Sequence, residues 1–151
     1  MDMTKVGCGY SQDKRMQEGW YDCSSLVYRL YKEAGINLPY VASTQGQYCY
    51  KNAMIINKKD LQPGDLIFYS YEENGKFRNI SHVAIYIGDG KMVHAANPRR
   101  GVVLDPLRTR SVVFYARPYR LIIPFKQRRE DPQILPPVTV LSSICNLSLT
   151  Q

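Results

Sequence analysis

The chain has 151 residues, and its 20 basic and 13 acidic side chains leave a net charge of +7, which sets the scale of a single basic domain. With 44% hydrophobic and 22% charged residues the composition is globular and excludes disorder as the main state. Apolar runs such as Leu121-Ile122-Ile123 and Val83 to Ile87 are far shorter than the roughly 18 residues of a membrane-spanning helix, and the first sixteen residues lack the ~7–15-residue apolar stretch of a secretory signal. Neither membrane insertion nor an export address is expected of the chain as it stands.

From Asp22, apolar residues recur at Leu26, Val27, Leu30, Tyr31 and Ala34, the stripe of an amphipathic helix. Asp22 supplies an N-cap, and Gly35 with Pro39 supplies the stop. A second, weaker helix is expected over about Ser43 to Ala53, with Gly46 lowering its propensity. After the turn signal Gln62-Pro63-Gly64-Asp65, strand formers run from Leu66 to Tyr71. Next come His82 to Ile87, a Gly88-Asp89-Gly90 turn and Lys91 to Ala95, which read as a hairpin. Extended runs at Val102 to Leu104 and Val112 to Arg117 complete a small antiparallel sheet. Helices first and sheet second make an α+β fold over residues 1–123. From Pro124 the chain turns rich in proline and charge, so residues 124–151 read as a linker or flexible tail, with an added edge strand as the alternative. No internal repeat is present.

The four cysteines, Cys8, Cys23, Cys49 and Cys145, contain no C-x-x-C pair, which argues against a zinc ribbon or a thioredoxin-type motif. Basic residues form only short clusters, Arg99-Arg100 and Lys126 with Arg128-Arg129. Nucleic acid is therefore not expected as a partner, whereas an anionic polymer such as a bacterial wall would attract the same charge.

Cys23 stands on the first turn of the first helix, where the helix dipole and unpaired N–H groups favour thiolate, making it a nucleophile candidate. Such a nucleophile needs a base and a group to orient that base, and the chain's two histidines, His82 and His94, could fill both roles. A turn at Gly88 to Gly90 would set them facing each other across the ladder. Two readings compete: a small core cysteine beside satisfied strand histidines, and a Cys₂His₂ metal site adding Cys49, for which the usual short ligand spacings are missing.

Asp22-Cys23-Ser24-Ser25-Leu26-Val27, Leu61-Gln62-Pro63-Gly64-Asp65-Leu66, Ser81-His82-Val83-Ala84-Ile85-Tyr86-Ile87-Gly88 and His94-Ala95 together resemble the NlpC/P60 family of papain-like cell-wall cysteine peptidases. The resemblance runs from about Lys5 to Tyr119. It implies a papain-like domain with N-terminal helices packed on a small antiparallel sheet. The implied activity is cleavage of peptidoglycan stem peptides, typically between D-γ-glutamyl and a diamino acid, without metal or organic cofactor. The catalytic residues fall on Cys23, His82 and His94, and the substrate-binding residues on Tyr10, Asp22, Ser24 and Ser81. Asp22 and Ser24 would receive the stem peptide's amino end, and the Cys23 N–H with the Tyr10 hydroxyl would hold the oxyanion. The tryptophan and glycine pair of the family's Pro-Tyr-x-Trp-Gly-Gly stretch have no counterpart here, and Ser25 replaces a glycine.

The expectation is thus a monomeric peptidoglycan hydrolase, wall-associated or extracellular if part of a longer secreted protein. A Cys23 thiolate would pair with a His82 imidazolium, the thiol lowered and the imidazole raised from their ordinary pKa values. Alternatives are amidase or acyltransferase chemistry with the same Cys–His pair, and a non-catalytic wall-binding module.

Overall fold

The computed structural model describes residues 7–119. The expected tail at 124–151 lies outside the described residues. Among the described residues two α-helices, α1 (Cys23–Glu33) and α2 (Ala42–Lys51), accompany eight strands: β1 (Gly9–Tyr10), β2 (Trp20–Tyr21), β3 (Ile55–Ile56), β4 (Leu66–Tyr69), β5 (His82–Gly88), β6 (Lys91–Asn97), β7 (Gly101–Pro106) and β8 (Val112–Ala116). β1 and β2 form a short parallel pair. The other six make one sheet in the order β3-β8-β4-β5-β6-β7, antiparallel throughout.

Helix α1 begins where its cap dictates. The Asp22 carboxylate accepts the Ser25 N–H at 2.8 Å, and the Ser25 hydroxyl accepts the Asp22 N–H at 2.9 Å, a reciprocal capping box. Ser25, at the family's glycine position, therefore locks the turn that carries Cys23. At the other end Gly35 takes a left-handed φ of +87°, which ends the helix at little steric cost. The apolar stripe, Leu26, Val27, Leu30 and Tyr31, is buried against the sheet side chains Leu66, Phe68, Val83, Ile85 and Val93. Each aliphatic member of the stripe contributes about 1.5–3 kcal/mol by leaving water.

Helix α2 starts one residue earlier and ends two earlier than expected. Gly46, its weakest helix former, is there for packing: a Cβ would come within 2.5 Å of Ile80 Cδ1. The glycine thus lets α2 approach the segment leading into β5.

Alternation along the strands sends Val83, Ile85, Val93, Ala95 and Val102 toward α1, while Ala84 and Met92 join Ile67 and Tyr69 on the opposite face. By the same two-residue period His82, His94 and Asp105 belong to that opposite face. The Gln62-Pro63-Gly64-Asp65 turn is held to the end of the neighbouring strand β8 by a bidentate pair. Arg117 Nε and Nη2 each reach the fully buried Asp65 carboxylate at 2.9 Å, the fork geometry guanidinium favours.

The segment between β1 and β2 is pinned by α1. Arg29 donates to the main-chain carbonyls of Arg15, Gln17 and Trp20 at 3.0, 3.2 and 2.6 Å, and its guanidinium lies 4.0 Å from the Tyr21 ring centroid. This places Tyr10 and Arg15 beside the N-terminus of α1.

Candidate active site

A cleft of about 170 Å³ opens where the N-terminus of α1 meets the start of β5. Tyr10, Asp22, Cys23, Ser24, Ser81 and His82 all line it, so residues from three separated stretches of sequence converge. His94 stands behind His82, nearly inaccessible to solvent. Cys49 is in the core with no exposure, and both ring nitrogens of His94 have protein partners. Among the described residues no three His, Cys, Asp or Glu side chains group as metal ligands do.

Cys23 is half-buried, and the main-chain N–H of Val83 donates toward its sulfur. That hydrogen bond favours the thiolate, but burial outweighs it, Asp22 adds its negative charge, and the thiol is pushed up to about 11. His82 moves the opposite way. Burial first, then the neighbouring His94 and the Arg108 guanidinium, hold its imidazolium down to about 3. The resting site is therefore a neutral thiol beside a neutral imidazole, which corrects the expected thiolate–imidazolium pair. The helix dipole is real but small beside the desolvation of a charged sulfur.

His82 Nε2 lies 2.8 Å from His94 Nδ1, with the rings edge to face at 81°. The register Ile85–Val93 and Tyr86–Met92 continues to set Ala84 opposite His94, so the histidines meet diagonally rather than directly across the ladder. The turn at Asp89-Gly90 lies too far along the chain for direct pairing, which would need its centre at Gly88, and the bulge between Tyr86 and Gly88 moves the register by only one residue.

Sequence reasoning missed the next partner. His94 Nε2 lies 2.7 Å from Asp105 Oδ2, and Asp105 is gripped by Arg100 at 2.9 and 2.7 Å and by Arg108 at 3.2 Å. Arg100 leads the interactions that hold this carboxyl down to about 2 despite burial. An acidic residue ending the run Val102-Val103-Leu104 was the signal available, because an unpaired carboxylate is costly on a covered strand.

Arg15 was also missed. Its Nε lies 2.8 Å from Asp22 Oδ2, and its Nη2 donates to the Ser24 hydroxyl at 3.0 Å and to the Tyr40 carbonyl. Asp22 thus caps α1 with one oxygen and pairs with Arg15 through the other. The Ser81 hydroxyl accepts the Tyr71 N–H at 3.2 Å. Tyr10 keeps its proton, its phenol raised by burial, by Cys23 and by Asp22, so it can donate to an incoming oxygen.

Helices packed on an antiparallel sheet, with a cysteine opening the first helix and paired histidines on adjacent strands, define a papain-like α+β domain. The chain belongs to the NlpC/P60 family, whose model matches residues 9–116. It is 39% identical over 89 residues to a gamma-D-glutamyl-L-lysine dipeptidyl-peptidase of Bacillus cereus, covering 59% of this chain and 25% of that protein. The chain therefore spans about a quarter of the length of that curated relative. A crystal structure of an NlpC/P60 family protein from Bacillus cereus matches with a TM-score of 0.56 and 33% identity, over 66% of this chain and 32% of the other. RipD from Mycobacterium tuberculosis, a non-catalytic NlpC/p60 domain protein adapted to peptidoglycan binding, matches with a TM-score of 0.52 and 28% identity, over 64% of this chain and 66% of RipD.

Proposed function

We propose that the chain is a cysteine endopeptidase that hydrolyses peptidoglycan stem peptides at the bond between D-γ-glutamyl and a diamino acid, working outside the cell or at the wall. The observation that carries this reading is Cys23 and His82 lining one cleft, with His82 held by His94 at 2.8 Å. The peptidase relative supports the choice of bond.

In this reading Cys23 Sγ attacks the scissile carbonyl while its proton passes to His82. The Cys23 N–H and the Tyr10 hydroxyl face the oxyanion. His82 then gives the proton to the leaving amine, and a thioester remains. Water, deprotonated by the same imidazole, hydrolyses the thioester and returns the thiol. His94 fixes the His82 ring. Asp22 and Ser24 receive the acyl side of the peptide, where an amino end competes with Arg15 for the Asp22 carboxylate.

Digestion of defined muropeptides with mass identification of the products tests the bond and separates hydrolysis from amidase or acyl-transfer chemistry. Cys23→Ala and Cys23→Ser should abolish cleavage with the fold retained. Residual cleavage by Cys23→Ala would refute the enzymatic reading. One observation favours a second reading, a wall-peptide-binding domain like RipD: the resting thiol is neutral, pushed up to about 11. Wild-type protein that binds muropeptides and leaves them intact would establish it.

A further inference from the structure

The carboxylate behind the two histidines has a stricter chemical consequence than simple support. Asp105 Oδ2 takes contacts from His94 Nε2 at 2.7 Å, Arg100 Nη1 at 2.9 Å and Arg108 Nη2 at 3.2 Å, and Oδ1 takes Arg100 Nη2 at 2.7 Å. Guanidinium nitrogens donate and never accept, so this carboxyl is an acceptor on every side. The proton between it and His94 therefore sits on His94 Nε2. The opposite tautomer would press an imidazole lone pair against a carboxylate oxygen at 2.7 Å.

A neutral His94 protonated at Nε2 has a bare Nδ1, and that atom lies 2.8 Å from His82 Nε2. The proton in this second contact must belong to His82. A neutral imidazole carries one N–H, so His82 Nδ1 is bare.

We propose that Asp105, gripped by Arg100 and Arg108, is a positioning residue that fixes the tautomers of both histidines and leaves His82 Nδ1 as the unprotonated nitrogen available to Cys23. The two arginines also explain why the carboxylate does not take the proton itself. Four donated hydrogen bonds make it a good acceptor and a poor base. The groups facing the relay from the surrounding elements are Asp105 on β7, Arg100 before β7 and Arg108 after it, with the rings of Tyr69 and Tyr71 flanking His82 at 5.9 and 6.0 Å. The two guanidiniums only donate, and the two tyrosine rings flank His82 rather than His94. The catalytic consequence rests on the function proposed above, whereas the tautomers do not.

The chain holds two histidines, so protein labelled with ¹⁵N-histidine gives four ring-nitrogen signals, and two-bond ¹H–¹⁵N correlation at pH 7 reads both tautomers directly. Wild type should show both rings protonated at Nε2. D105N should keep that pattern, because an amide oxygen can accept in place of Oδ2, and should stay within about tenfold of wild-type kcat. D105A should lose the single tautomer and lower kcat on a stem peptide by about 10²–10³-fold with KM little changed.

An Nδ1–H signal on either ring of wild type overturns the proposal. So does a D105A protein with unchanged tautomers and kcat. Should D105A fail to fold, wild type and D105N still decide, since loss of the Nε2 pattern in D105N would assign the effect to charge rather than to an accepted hydrogen bond. Wild type with the expected tautomers and no peptide cleavage would remove the proposed function and leave this inference standing.

Discussion

The neutral resting pair can be tested without knowing the substrate, by the rate at which Cys23 is alkylated as pH is raised. A thiol at about 11 holds about 10⁻⁴ of its population as thiolate at pH 7, against about 3% for an unperturbed cysteine near 8.5. Thiolate fraction alone gives a roughly 300-fold deficit. The more basic thiolate is intrinsically more nucleophilic, with a Brønsted slope near 0.4–0.5, which returns about tenfold. Iodoacetamide should therefore modify Cys23 about 20–30 times more slowly than a small-molecule thiol at neutrality, with the rate still climbing tenfold per pH unit at pH 9. The second free cysteine among the described residues, Cys49, is buried, so peptide mapping by mass spectrometry must report the Cys23 peptide separately. A fast rate forming a plateau between about pH 5 and 8 would refute the argument, because it would mean that the dipole of α1 and the His82 imidazolium overcome burial.

Three further outcomes follow from contacts already described. His82→Ala should be nearly as damaging to stem-peptide hydrolysis as Cys23→Ala, whereas His94→Gln or His94→Asn should retain measurable kcat because an amide can still accept from His82 Nε2; equal total loss would contradict an orienting role. Arg117→Ala leaves the Asp65 carboxylate without its partner at zero exposure and should cost about 3–5 kcal/mol, with part of the loss recovered on adding Asp65→Ala, both read by denaturant unfolding. The folded-state pKa values of His82 and His94 are lowered, so the unfolded chain binds more protons below about 6.5 and stability falls as pH drops from there; Asp105, lowered to about 2, adds a further loss below its unfolded value near 4. Melting temperature should decline from pH 7 to 4, less steeply in a His82→Gln variant, and a flat profile would contradict the burial assigned to the histidines.

The sequence was most legible where one local rule and one long-range need agree. Asp22 followed by the stripe from Leu26 to Tyr31 marks both the helix start and the face that must be buried, so the position of Cys23 could be read directly. The strands carrying His82 and His94 were equally plain, since Gly88-Asp89-Gly90 has little alternative to a turn. Their mutual geometry was misjudged, because a turn at Asp89-Gly90 sets His94 opposite a residue nearer the turn than His82, and the single-residue bulge before it does not make up the offset. Asp105 was missed for a related reason. Its position beside His94 depends on the β6–β7 register, which slips between Ala95 and Asn97. Arg15 belongs to a segment without periodicity, held by main-chain bonds to Arg29 that leave no pattern in the side chains. The sign of the Cys23 and His82 shifts was misread because spacing reports which charges approach and says nothing of how much water they lose.

Those two shifts also constrain how the proposed reaction can run. Burial disfavours both the Cys23 thiolate and the His82 imidazolium, so moving the proton before attack would create two charges that the site solvates poorly. Transfer concerted with attack avoids the charged sulfur, because the negative charge then appears on the carbonyl oxygen, facing the proposed donors Cys23 N–H and Tyr10 hydroxyl, rather than on a poorly solvated thiolate. A concerted step requires the bare nitrogen of His82 to be in place as substrate arrives, since an imidazole in the wrong tautomer would meet the thiol with a proton of its own. The carboxylate that secures that nitrogen lies two histidines away from the sulfur, and it is the strict donor chemistry of Arg100 and Arg108 that allows it to act at that distance without carrying charge into the cleft.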